Sequence, residues 1–283
     1  MSSNAVADSF TLEGPGGSNG FKVAYLDYRE GPYAAEEHCA RKYRALVRYG
    51  ASLEAPLNPR HLVRLVVPDS HGEHIDLAAR ASFLADVKRL VPDEVIWLGD
   101  HVDCGGVFSV HQRSYTKELT EAYEDDIAAA NSLLDAVQKL APKARHWYIL
   151  GNHEDHVERW ASRSFSSHKD AELVLRHIGP IKLLRLRERG FTVIKSTETY
   201  NGLSVPGAMR RGKCHFTHGI SASKHAADAH LRGFGASVVF GHCHRSMSVI
   251  ERSVASSGHG AWCPGTLAKI GRASCRERVS SPV

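Results

Sequence analysis

An α/β fold is predicted by three observations along this chain. Short apolar runs read as buried strands, helical stripes separate the earlier of these runs, and a polar cluster closes each of five strands. Strands buried on both faces of an open parallel sheet look like continuous apolar runs, and such sheets collect their ligands at the carboxyl ends of the strands.

Taken in order, residues 1–20 hold Gly14-Pro15-Gly16-Gly17-Ser18 and little apolar material, the composition of a flexible lead-in. Residues 21–60 read as an N-terminal extension. Within it residues 34–49 are predicted helical, with Tyr43, Leu46 and Val47 as apolar contacts and Arg41, Lys42, Arg44 and Arg48 around them. A small DNA-binding helix and a basic helix packed on the main domain both fit this segment. The second is favoured, because nothing else there completes a nucleic-acid motif.

The main domain is assigned to residues 61–269. Its first strand, 62–67, is interrupted by Arg64, closed by Pro68 and followed by Asp69-Ser70-His71. A helix over 76–90 leads to a strand at 95–98 and Gly99-Asp100-His101-Val102-Asp103. A longer helix over 117–140 carries the stripe Leu119, Tyr123, Ile127, Ala130, Leu134 and Val137, at helical spacing and therefore core. A strand at 146–150 then runs into Gly151-Asn152-His153-Glu154, with short helices at 155–161 and 170–177 and a strand at 191–195 behind it. Strands at 214–217 and 237–240 feed His218-Gly219 and Gly241-His242-Cys243-His244, with a helix at 221–231 between them and a strand at 247–251 after them.

The five clusters share a chemistry. Carboxylate and amide oxygens mixed with imidazole nitrogens suit divalent cations, and ligands gathered from five places can hold two of them side by side. In an extended segment alternate side chains point the same way, so Asp69 and His71 can share one cation, and His242 and His244 fall on one side of the chain. Asp100 can offer one oxygen to each of two ions. Asp103 is better placed to orient another side chain, Asn152 offers a neutral oxygen, and His153 is free for proton transfer. Any one cluster is as readily a turn or a cap; five at strand ends with complementary ligands are not explained that way. His74 and His215, which make further His-x-x-His spacings, are read as coincidence in a chain with 18 histidines, and His101, His111, His156 and His168 as surface residues.

The ordered set D-x-H, G-D-x-x-D, G-N-H-E, H-G and G-H-x-H resembles the calcineurin-like metallophosphoesterase superfamily over residues 61–267. The turn Pro264-Gly265-Thr266-Leu267 resembles the one that follows the last motif in many members. The resemblance implies a four-layer α-β-β-α sandwich and two divalent metal ions, manganese foremost, with iron, zinc or nickel also tolerated by these donors. It assigns Asp69, His71, Asp100 and His244 to one ion, and Asp100, Asn152, His218 and His242 to the other. His153 becomes the proton donor and Asp103 its hydrogen-bonded partner. Two ions about 3.5–4 Å apart that share a water make hydroxide available near neutral pH for in-line attack on phosphorus. The expected substrate is a phosphodiester, in a nucleic acid or a nucleotide. Protein phosphatases of this superfamily follow the second motif with Arg-Gly and precede the third with Arg-Gly. This chain has Cys104-Gly105 and Ile149-Leu150 there, which makes a phosphoprotein monoester the lesser alternative. Arg210 and Arg211 are the candidate replacements for phosphate contact. A non-catalytic metal-binding scaffold is the alternative of another class, disfavoured because every ligand and His153 is present.

The 283 residues suit one sizeable domain plus an extension, and 42% hydrophobic content supports a full core. No run reaches transmembrane length, and the polar start Met1-Ser2-Ser3-Asn4 has no apolar stretch behind it, so neither a membrane anchor nor a signal peptide is expected. Six cysteines without paired spacing point to free thiols in a reducing, cytoplasmic setting. Residues 270–283 have no strand or helix pattern, and 270–279 resemble the translation of a common sequencing adapter. They are read as an adapter-derived or disordered tail, and on the first reading the C-terminal part of the sandwich is truncated. Without that tail the net charge of +5 falls by two, too little to argue for a polyanionic partner.

Overall fold

The computed structural model describes residues 62–104, 122–195, 207–253 and 256–269, together with the backbone of five strands outside those segments. The order is β1 (Ala7–Thr11), β2 (Phe21–Asp27), β3 (Tyr43–Tyr49), β4 (Val63–Val67), α1 (Leu77–Leu90), β5 (Glu94–Trp97), α2 (Tyr123–Leu140) and β6 (Arg145–Ile149). There follow α3 (Glu154–Ser164), α4 (His168–Ile178), α5 (Pro180–Leu183), β7 (Thr192–Ile194), β8 (Thr199–Tyr200), β9 (Leu203–Ser204) and β10 (Ala208–Arg211). The last elements are β11 (Cys214–Thr217), α6 (Ala226–Phe234), β12 (Ser237–Phe240), β13 (Ser246–Ser253) and β14 (Ser256–Pro264).

One sheet runs β1-β2-β3-β4-β5-β6-β7, and a second runs β10-β11-β12-β14-β13. Neighbours from β4 to β7 are parallel, as are β11, β12 and β14. Side-chain alternation turns these sheets into layers. In β4, Val63, Leu65 and Val67 pack with Phe83 of α1 and Leu134 of α2, whereas Val66 faces the other way. Val66, Ile96 and Ile149 of the first sheet, with Leu98 just past the end of β5, meet Phe216, Val239 and Trp262 of the second. On the far side of the second sheet Val238, Phe240 and Ala261 pack with Ala226 and Leu231 of α6. Three cores between four layers give the α-β-β-α sandwich.

Local chemistry explains the boundaries. Asp76 caps α1, its side chain accepting the Ala79 N–H at 2.9 Å. The stripe predicted in α2 is buried at Ile127, Ala130, Leu134 and Val137. Arg64, the one charge inside β4, pairs across the sheet with the buried Glu94 at 2.5 Å, and Arg145 and Arg211 reach the same carboxylate. No helix among the described residues is long and apolar enough to cross a membrane.

The basic helix expected over residues 34–49 needs correction in its second half, where Tyr43–Tyr49 is strand β3, paired with β2 on one side and β4 on the other. Tyr43, Ala45, Val47 and Tyr49 alternate with Arg44, Leu46 and Arg48, so a period of two fits the sequence as well as a helical one does. The open edge of β4 decides between them. Residues 28–42 lie outside the described residues. Ala7–Thr11, inside the stretch read as a lead-in, pairs with β2 as an antiparallel strand. Residues 270–283 and most of the loop after Asp103, from 105 to 121, also lie outside the described residues.

Candidate metal centre

Because β4, β5 and β6 are parallel, as are β11 and β12, the clusters that follow them emerge at like ends of the two sheets. Their loops are stitched together. The Ser70 and His71 N–H groups donate to the Asp100 carbonyl at 3.1 and 3.0 Å, and Gly241 N–H donates to the His218 carbonyl at 2.7 Å. The Asp69 carboxylate accepts the His242 N–H at 2.9 Å, while the Asp69 carbonyl accepts from Leu267 N–H and Thr266 Oγ1, each at 2.8 Å. The turn after β14 is thus part of the site's frame.

Seven non-glycine residues among those described have positive φ, and four of them are His71 (48°), Asp100 (52°), His242 (68°) and His244 (51°). Left-handed backbone at a side-chain-bearing residue costs about 1–2 kcal/mol each, a strain that persists only where surroundings impose it. The extended-chain argument from spacing therefore needs correction. Asp69 and His71 do converge, but through a left-handed turn, and His242 and His244 join different donor groups.

Donor atoms of Asp69, His71, Asp100 and His244 lie within 4.8 Å of one another, and so do those of Asp100, His218 and His242. Asp100 belongs to both groups. His71 Nε2 is 2.9 Å from His244 Nε2, which lies 3.1 Å from Asp69 Oδ2. His218 Nε2 is 2.9 Å from Asn152 Oδ1 and 3.1 Å from Asp100 Oδ2. Such spacings fit a coordination shell, because cis donors about 2.1 Å from one ion sit about 3 Å apart. Ring orientation fits too. His218 Nδ1 donates to the Leu98 carbonyl at 2.8 Å, and His71 Nδ1 bonds Asp103 Oδ1 at 2.7 Å, so both Nε2 lone pairs face the cluster.

The electrostatics call for positive charge. Burial opposes ionisation of Asp100, yet the surrounding histidines hold its carboxyl well below the ordinary range. Burial likewise depresses His218, but Asp100 and Asp69 outweigh it and lift the ring to about 10. His242, with burial dominant and His218 beside it, falls to about 4. Buried carboxylates that hold neighbouring imidazoles protonated would be satisfied as well by cations.

His153 lies at the edge of this cluster, 5% exposed. Its Nδ1 donates to the backbone carbonyl of Asp103 at 2.8 Å, and its Nε2 lies 3.9 Å from Asp100 Oδ2. Burial would depress the ring, but Asp100 and Asp103 raise it above its ordinary value. The Asp103 carboxylate is closer to His71, at 2.7 Å, than to His153, at 3.5 Å. Asp103 therefore orients both rings, one through its side chain and the other chiefly through its main chain.

A buried set of hard oxygens and imidazoles at the mouth of a two-sheet sandwich defines a candidate metal centre, of the kind that serves metal-dependent hydrolases. Residues 63–246 match the calcineurin-like phosphoesterase family, and the chain belongs to it. No curated protein sequence matches the chain.

The structure does not bring Arg210 and Arg211 to this centre. Arg211 is level with Cys214 at the start of β11, whereas His218 follows its end, about 13 Å of extended chain away. Arg211 instead bonds Glu94 and lies 4.6 Å over the Trp147 ring. His101 and His156, expected at the surface, are 1% and 6% exposed, while His168 is exposed; His111 lies outside the described residues. His101 packs edge-on against Trp97 and Tyr148, because the loop after β5 folds over the helix-facing core.

Sequence reasoning assigned Glu154 no role. Its carboxylate accepts the N–H groups of Asp100, His101 and Gly151 at 2.9, 2.9 and 2.8 Å and the Tyr148 hydroxyl at 2.9 Å. Its place in the third cluster was the available signal. Glu154→Ala leaves four buried donors unpaired and is expected to cost about 3 kcal/mol or more in chemical denaturation. An unchanged unfolding midpoint would contradict the bracing role. Gly99→Ala is expected to cost about 1–3 kcal/mol through its φ of 95°, and more because its Cβ would lie 2.6 Å from the Gly151 nitrogen and 3.0 Å from His218 Nδ1. Thermal unfolding together with a manganese titration would measure both effects.

Proposed function

We propose that this protein is a dinuclear, manganese-dependent phosphodiesterase acting on a nucleic acid or a nucleotide. The observation that carries the reading is the sharing of Asp100 between two donor groups. In that reading Asp69, His71, Asp100 and His244 hold one ion, and Asp100, Asn152, His218 and His242 hold the other. When bound, such a pair supplies charge to polarise a phosphoryl oxygen and to lower the pKa of water.

The chain's own groups supply the rest. His71 and His218 are oriented by Asp103 and the Leu98 carbonyl, so their donor atoms need no reorganisation on binding. His153, oriented by the Asp103 carbonyl and with its pKa raised against burial by Asp100 and Asp103, gives a proton to the departing oxygen. Two exposed arginines sit beside the ligand loops: Arg159 Nη2 donates to the Asn152 carbonyl at 2.9 Å, and Arg245 follows His244 directly. They are the candidates for substrate phosphate in place of Arg210 and Arg211. The absence of arginine from Cys104-Gly105 and from Ile149-Leu150 supports a diester over a phosphoprotein monoester. Among the described residues four buried cysteines are free thiols, which supports a reducing, cytoplasmic setting.

The test is hydrolysis of bis-para-nitrophenyl phosphate against para-nitrophenyl phosphate by purified, manganese-loaded protein. A higher kcat/KM for the diester is the expected result. Preference for the monoester overturns the substrate assignment, and manganese binding without hydrolysis of either favours the scaffold alternative.

A further inference from the structure

We propose that Asp126, which lies outside all five clusters, is a positioning residue of the metal centre: one carboxylate on the first turn of α2 sets both the loop that presents Asp103 and the turn that follows His71. The inference rests on the metal-dependent reading above.

Asp126 is 2% exposed, and its Oδ2 accepts the N–H groups of Asp103 at 2.6 Å and Cys104 at 2.8 Å. Cys104 holds a φ of 54°, a strained conformation that this double acceptor helps to impose. The same carboxylate fills the space over Gly72, where a Cβ would lie 1.5 Å from Asp126 Oδ1. Gly72 directly follows His71, and His71 Nδ1 bonds Asp103 Oδ1 at 2.7 Å. Asp126 therefore braces both partners of the pair that aims a candidate ligand. Through the Asp103 carbonyl it also reaches the proton donor, His153.

A general favourable effect of acid at a helix N-terminus does not account for this. Glu124 and Asp125 lie in the same stretch of α2 and are exposed, whereas Asp126 is buried and bonded to another segment. Placing a carboxylate there carries a desolvation cost, and burial raises its pKa to about 7 despite the N–H groups of Cys104 and Asp103. Groups that orient ligands from behind are typically worth about 10–100-fold in metal affinity or activity.

The experiment compares wild type, Asp126→Ala, Asp126→Asn, Asp126→Glu and Asp125→Ala as full chains, below the unfolding midpoint of each. Manganese alone is titrated into metal-stripped protein by calorimetry, and kcat and KM are measured separately for bis-para-nitrophenyl phosphate. Asp126→Ala is expected to weaken manganese binding about tenfold or more and to lower kcat with little change in KM. Asp126→Asn, whose amide oxygen accepts the same two N–H groups, recovers most of both, and Asp125→Ala matches wild type. If the alanine variant does not fold, Asp126→Glu takes its place: it keeps the carboxyl group but pushes it toward Gly72, and the same losses are expected. Folded Ala or Glu variants with wild-type manganese affinity and kcat overturn the proposal, as does an Asp125→Ala variant equally impaired. Wild type that takes up no manganese overturns the metal-dependent reading itself, an outcome visible before any variant is compared.

Discussion

Asp100→Ala is expected to lose manganese at both positions and to lower phosphodiester turnover by about a thousandfold or more, the worth of several kcal/mol of charge stabilisation. Asp100 belongs to both donor groups, and Oδ2 lies 3.1 Å from His218 Nε2. Its Oδ1 accepts the His153 N–H at 2.9 Å, so the substitution also loosens the third loop. Alanine at a φ of 52° adds backbone strain, which a companion Asp100→Asn variant separates from the loss of charge. Asparagine tolerates the left-handed region and keeps an oxygen but not the charge, so it should fold and still bind metal poorly. Metal analysis of gel-filtered protein, with turnover of the same samples, measures this. Two equivalents of manganese retained in Asp100→Ala would remove the shared-ligand assignment.

His153→Ala has a different expected signature, in which manganese is retained while turnover falls by about a hundred- to ten-thousandfold. The ring donates to the Asp103 carbonyl and lies at 4.7 Å, edge-on, from that of His71, but it belongs to neither group that contains Asp100. Proton donation matters most when the departing oxygen is a poor anion. The loss should therefore be larger for an alkyl phosphodiester than for a nitrophenyl one. The pH profile carries the same information. In the metal-free protein Asp100 and Asp103 raise the His153 pKa against the effect of burial, and donation fails as pH rises through the value that the ring takes in the loaded enzyme. Wild type should show that alkaline limb and His153→Ala should lack it. Undiminished turnover in the variant would end the assignment of His153 as donor.

Much of this architecture was legible in the chain. The runs read at 62–67, 95–98, 146–150, 214–217 and 237–240 are strands in the structure, ending at Val67, Trp97, Ile149, Thr217 and Phe240, because near-continuous apolar sequence is best satisfied by burial on both faces. The five ligand clusters were visible for the same reason, since each interrupts apolar sequence with residues expensive to bury unless they serve a charge. Tyr43–Tyr49 was harder, because its arginines and apolar residues fit a helix and a strand alike, and the edge of β4 that settles the matter is not a local property. Arg210 and Arg211 looked close to His218 in number, but an antiparallel hairpin sends them to the other end of β11. His101 and His156 looked like loop histidines, and burial beneath the site cannot be seen from polarity.

The sequence by itself determined which chemistry is present: hard oxygens and imidazoles at strand ends, and the order of motifs that marks the family. Tertiary structure decided how those groups meet. Parallel strands bring distant loops to like ends of two sheets, and left-handed backbone at His71, Asp100, His242 and His244 turns their side chains into two groups around Asp100. Bracing falls to Glu154 and Asp126, whose partners are backbone N–H groups remote in sequence. Side-chain chemistry is written residue by residue, whereas the geometry of a site depends on contacts between segments that only the folded chain brings together.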